Sequence, residues 1–136
     1  MKQLFLFFLI LFACELFARQ IEETTFSYWD KPDAKIFYSI PDSINANTKI
    51  IFIMHGASRR AKKYLNDWLP MVNNRNVVLI APEFSEEFYP EYIYLMMSTQ
   101  KGKLLKNESL YLTDSLGLLF DYFKAKLKLS TASFRL

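Results

Sequence analysis

The residues of this chain able to carry covalent or acid–base chemistry are few. His55 is the only histidine and Cys14 the only cysteine. His55 opens the tetrapeptide His55-Gly56-Ala57-Ser58, which interrupts an apolar run. A lone histidine beside a serine invites the reading of a general base next to its nucleophile. The spacing of the glycines argues otherwise. One known display of a nucleophilic serine is Gly-x-Ser-x-Gly on a sharp strand-to-helix turn. Gly56, Gly102 and Gly117 are the only glycines, and no two of them flank a serine at that spacing. Ser58, Ser85, Ser98, Ser109, Ser115, Ser130 and Ser133 all lack the elbow. What Gly56 does permit is a close approach of backbone to ligand.

Two further groupings have a chemical and a bland reading. Glu83, Glu86, Glu87 and Glu91 suggest a metal or acid–base pair, but without other ligands they read as a solvated acidic loop. Glu83 stands directly after Pro82 at a strand end, where open α/β sheets meet their ligands. Phe84, Phe88, Tyr89, Tyr92 and Tyr94 could line a pocket; such residues more often pack against a sheet edge. A protein-built zinc site needs several His or Cys ligands, which one of each does not supply. No metal and no cofactor is implied.

The elements that must position these residues follow from periodicity. Ile36-Phe37-Tyr38-Ser39-Ile40 is a compact strand before Pro41, and the stretch from Arg19 to Lys35 is a leading strand or loop. Residues 42–48 are turn-rich. Ile50-Ile51-Phe52-Ile53-Met54 is apolar throughout, which points to a strand covered on both faces. Ala61, Tyr64, Leu65, Trp68 and Leu69 fall on one face of a helix, with Arg59, Arg60, Lys62, Lys63, Asn66 and Asp67 on the other. Pro70 and Asn73-Asn74 end that helix. Val77-Val78-Leu79-Ile80-Ala81 is a second apolar strand, ended by Pro82. Strand, helix and strand in this order make a crossover with parallel strands. Residues 83–107 are irregular, with a short helix expected over residues 92–97. Leu112, Leu116, Leu119, Phe120, Phe123 and Leu127 recur at helical spacing. Thr113 or Asp114 is the expected cap, and Lys124, Lys126 and Lys128 suit the helix C-terminus. Residues 133–136 look like the opening of another strand.

Length and composition bound the rest. The chain has 136 residues, 51% hydrophobic and 17% aromatic, which suits one small folded domain and excludes a disordered chain. The net charge is +3, with 17 basic residues scattered rather than massed, so no nucleic-acid partner is expected. Residues 1–18 read as a secretory signal: Lys2, an apolar run over residues 4–13, then small residues. The run is shorter than the ~20 residues of a stable membrane anchor. Cleavage after Ala18 is favoured and would start the mature chain at Arg19. The alternative is lipidation at Cys14 in a lipoprotein-like box. An exported, periplasmic or extracellular location follows, with membrane contact only through the signal or a lipid on Cys14.

The succession of apolar strand, His55-Gly56-Ala57-Ser58, amphipathic helix and apolar strand ending in Ala81-Pro82-Glu83-Phe84 resembles the front half of an α/β-hydrolase. Within that superfamily it looks most like secreted esterases related to polyhydroxybutyrate depolymerases. The resemblance implies an α/β fold with a truncated α/β-hydrolase-type, mostly parallel sheet and flanking helices, over residues 19–136. It implies an ester substrate and an oxyanion hole in which one donor lies in the loop after the third strand. On that basis the amide of Ala57 is the candidate donor, Gly56 shapes the turn, and His55 holds the loop through hydrogen bonds rather than acting as base.

In the family the nucleophile would follow the last helix and one short strand, so the chain is expected to stop before its serine. The acidic and histidine members of the triad would lie further on. A strand at residues 50–54 would then sit at or near a sheet edge, and the chain alone would be marginally stable. The function expected is that of an exported serine-hydrolase family product, inactive alone. The alternatives are a non-catalytic envelope protein or lipoprotein, and one half of a split hydrolase.

Overall fold

The computed structural model describes residues 19–129. The expected leader over residues 1–18, with Cys14 and Ala18, and the expected strand over residues 133–136 lie outside the described residues. The elements run β1 (Glu22–Phe26), β2 (Ala34–Ser39), β3 (Lys49–Phe52), α1 (Ala61–Val72), β4 (Val77–Glu83) and α2 (Ser115–Lys126), with 3-10 turns at Tyr92–Tyr94 and Glu108–Leu110. They form one open four-stranded sheet in the order β1-β2-β4-β3.

β3 and β4 are parallel, with Ile50 opposite Val78 and Phe52 opposite Ile80. This is the predicted β3–α1–β4 crossover. The parallel character expected of the sheet is confined, among the described residues, to this pair. β1–β2 and β2–β4 are antiparallel, with Phe37 opposite Ala81. For β1–β2 the reason is local: the two strands are joined by a short loop over residues 27–33, too short for a crossover helix.

Alternation along the central strands divides the core between two faces. Val78 and Ile80 join Ile36, Tyr38 and Phe26 on the face covered by Leu119 and Phe123 of α2. Leu79 and Ala81 join Phe37 and Ile53 on the face covered by Ala61, Leu65 and Val72 of α1. Helices thus flank the sheet on both sides, as the unbroken apolar run of β4 predicts. Every residue from Val77 to Pro82 is buried. β3 is less covered than its composition suggests. Lys49 is exposed and Ile50, Ile51 and Phe52 are half-buried, and among the described residues the strand pairs only with β4.

Three sequence expectations are corrected by physical detail. Pro82 does not end β4 but lies inside it, opposite Ile36. Ile53 N–H donates to Ile80 O, so the even residues of β4 address β3; Pro82 therefore turns its ring nitrogen toward a point beyond the last residue of β3, where a missing N–H costs no ladder bond. Pro70 does not end α1, which continues to Val72 at the expense of one hydrogen bond to the Asn66 carbonyl. Asp114 occupies the N-cap position of α2 but makes no side-chain cap hydrogen bond there. Of the lysines expected to face the helix end, Lys126 also lies over the Tyr38 ring at 4.8 Å. No helix among the described residues is long and apolar enough to cross a membrane.

Candidate active site

The loop after β3 and the loop after β4 leave the same end of the parallel pair, and their contacts build the site. Arg59 N–H closes a turn onto Gly56 O at 3.1 Å, with Ala57 and Ser58 at its centre. Both central residues are exposed. Among the described residues their backbone N–H groups have no hydrogen-bond partner. Two adjacent unpaired amides at the end of a parallel strand pair are suited to receive an oxygen that carries negative charge.

Behind this turn the polar groups are satisfied. His55 is buried. Its Nδ1 lies 2.9 Å from Gly56 O, and its Nε2 accepts the Phe84 N–H at 3.0 Å. Since Nε2 accepts, the proton of the neutral ring belongs on Nδ1, which donates to the Gly56 carbonyl. The carbonyl of His55 accepts the Tyr92 hydroxyl at 3.0 Å, and the two rings lie 4.3 Å apart. Both ring nitrogens are thus engaged with the backbone. Burial pushes the imidazole pKa below its ordinary value, and the positive charge of Arg59 pushes the same way against the Gly56 carbonyl and Glu83. The ring is a neutral tie between the two loops, not a base open to a proton.

Gly56 is not in the left-handed region, which among the described glycines is occupied only by Gly102. Its lack of a side chain matters for another reason. A Cβ there would meet the Tyr64 hydroxyl at 3.0 Å, so the phenol of α1 sits directly over the turn.

The main residue missed by sequence reasoning is Arg59. It was expected on the solvated face of α1. It precedes the helix, adopts a left-handed backbone (φ 56°) and turns its guanidinium toward the β4 loop. Nη1 donates to Phe84 O and Tyr89 O, both at 2.8 Å, and Nη2 to Pro90 O at 3.0 Å. The guanidinium lies 5.1 Å from the centre of the Tyr92 ring. No signal in the sequence pointed to this, because the partners are carbonyls 25 to 31 residues away.

The aromatic residues separate into two groups. Phe84, Tyr89 and Tyr92 are buried, with Phe84 5.1 Å from both of the other rings. Tyr89 donates its hydroxyl to Pro32 O, as does the Trp29 indole. These three are packing, and they support the loop rather than line a pocket. Phe88 and Tyr94 are exposed. Glu83 ends β4 half-buried, while Glu86 and Glu87 point to solvent. Among the described residues no group of three or more His, Cys, Asp or Glu converges as a metal site.

Comparison with known proteins places the fold. No family model matches the chain, and no curated protein matches it. Solved structures that share its architecture include a poly(aspartic acid) hydrolase-1 from Sphingomonas sp. KT-1, with a TM-score of 0.67 and 24% identity over 79% of this chain and 42% of that one. They also include a poly(3-hydroxybutyrate) depolymerase from Bordetella parapertussis, with a TM-score of 0.62 and 17% identity over 83% of this chain and 40% of that one. At these identities the likeness shows the fold, a mixed α/β architecture of the α/β-hydrolase type. The chain spans about two-fifths of the length of the structures it matches.

Proposed function

We propose that this chain carries the oxyanion-binding loop of an exported serine hydrolase acting on carboxylic esters, with the amide of Ala57 as donor, Gly56 as the position over which Tyr64 closes, and His55 as the residue that holds the loop. The observation that carries the reading is the exposed Ala57–Ser58 turn, whose amides are unpaired while both ring nitrogens of the buried His55 behind them are engaged. An oxyanion donor of this kind lowers the barrier by roughly 3–4 kcal/mol when it is fixed before the reaction begins. The fold shared with two polymer hydrolases supports the reaction class; esters are favoured over other acyl substrates by the sequence resemblance.

On this reading the nucleophile, its acid and its base lie outside these 136 residues; in support, no serine stands in a Gly-x-Ser-x-Gly elbow and the one histidine has both ring nitrogens in use. Export rests on the leader-like residues 1–18, with cleavage after Ala18 favoured over lipidation at Cys14. The test is incubation of the 136-residue chain with a short-chain nitrophenyl ester and a fluorophosphonate probe. Neither turnover nor labelling is expected; turnover that the probe abolishes would refute the assignment of the nucleophile elsewhere.

A further inference from the structure

The Phe84 peptide unit is held from both sides. Its N–H is bound by the His55 ring and its C=O by the Arg59 guanidinium, two residues of the loop after β3. The same guanidinium takes the carbonyls of Tyr89 and Pro90, so it spans the whole bend of the loop after β4. It lies over the ring of Tyr92, 5.1 Å from its centre, and the Tyr92 hydroxyl returns to the His55 carbonyl. Arg59 therefore closes a ring of contacts through Phe84, His55 and Tyr92. The planar fork is what allows three carbonyls to be met at once; an ammonium is a point charge on a flexible stem. The backbone of Arg59 is left-handed, a conformation that side-chain-bearing residues adopt only where the surroundings impose it. Here the imposition is visible: this φ sets the residue at the end of the Gly56–Arg59 turn while the side chain reaches across the gap.

We propose that Arg59 is a positioning residue of the candidate site: by fastening the β4 loop to the β3 loop it fixes the turn that displays the Ala57 and Ser58 amides. The purpose assigned to the turn rests on the hydrolase reading above, but the fastening does not, and its test involves no ester.

The test uses the whole chain, 15N-labelled, with His55 as a probe that needs no assignment because it is the only histidine. Wild type is compared with Arg59→Gly, which relieves the left-handed backbone, and Arg59→Lys, which keeps the charge. Two quantities are read: the ring nitrogen shifts of His55 across pH, and amide exchange at Phe84 relative to Leu79 and Ile80 in β4. If the guanidinium positions the loops, both variants lose protection at Phe84 by at least about tenfold while β4 stays protected. The His55 pKa then rises in Arg59→Gly, where a neighbouring positive charge is gone, and rises less in Arg59→Lys. Unchanged Phe84 protection in both variants overturns the proposal. So does an equal loss at Phe84, Leu79 and Ile80, which would mark Arg59 as a contributor to global stability only. A rescue of Phe84 protection by Lys would likewise show that charge, not the planar fork, suffices.

Discussion

The two ends of the β3–β4 pair are both closed by an arginine, and they are closed for different ends. Where the strands begin, Arg19 donates to Ser39 O, Ile40 O, Val72 O and Val77 O. These carbonyls terminate β2 and α1 and open β4, so the guanidinium staples three regular elements. Beside it Thr48, Asn76 and Asn45 hydrogen-bond to one another, and Asn76 O receives the Lys49 amide. Where the strands end, Arg59 instead ties one loop to another and leaves the amides of Ala57 and Ser58 open. At one end backbone groups are tied into the fold; at the other the amides of Ala57 and Ser58 are left open. Exposed donors on a turn held by bonded side chains are free to meet an acceptor from outside.

The contrast is broken most severely at the first end. Arg19→Ala strips charge-assisted hydrogen bonds from four carbonyls at once, and a loss of about 3 kcal/mol in urea-melt stability is expected, with β4 and α1 loosening together. Burial lowers the pKa of Arg19, with Asp42 opposing, yet an arginine stays charged across the working range, so this end carries no pH switch near neutrality.

The second end does. The pKa of His55 is depressed in the folded chain. Between the ordinary value of about 6.5 and that lower value, the unfolded chain binds a proton that the folded chain refuses. Stability from this group is therefore complete above pH ~6.5 and declines as the pH falls through the depressed value. Urea melts at stepped pH should show this decline, and a His55→Gln variant should lose that component of it. Protection of the Phe84 amide should fall before that of Leu79, since a protonated Nε2 can no longer accept.

The smallest effect sharpens the contrast from the interior. Ser39 and Ser115 are buried with no hydrogen-bond partner for their hydroxyls among the described residues. Ser39→Ala should change stability by less than about 1 kcal/mol, and in the favourable direction. A large loss on thermal melting would mean that its hydroxyl is engaged and that the first end is bonded differently from the description above.

How much of this was legible in the sequence depends on the range of the interaction. The β3–α1–β4 unit was readable because apolar runs and a helical stripe are local patterns, and His55-Gly56-Ala57 was marked as the break between them. The extent of β4 was misjudged because a proline ends most strands; that Pro82 faces a point beyond β3 depends on where another strand stops. The coverage of β3 was overestimated for a related reason, since an all-apolar run says that both faces tolerate burial and not that both are buried. Arg59 was invisible. The four basic positions between residues 59 and 63 look alike in a sequence reduced to charge, and Arg60, Lys62 and Lys63 are indeed exposed. Only the fold brings three carbonyls within reach of one of them.

The measurement that bears most directly on the account is a 15N NMR titration of the His55 ring in the unaltered chain. A neutral ring protonated at Nδ1 is expected, its Nε2 hydrogen-bonded, with a pKa below that of a free histidine. A ring that titrates like a free imidazole, or that exchanges between tautomers, would contradict it, because the loop would then lack the tie that holds its open amides in place.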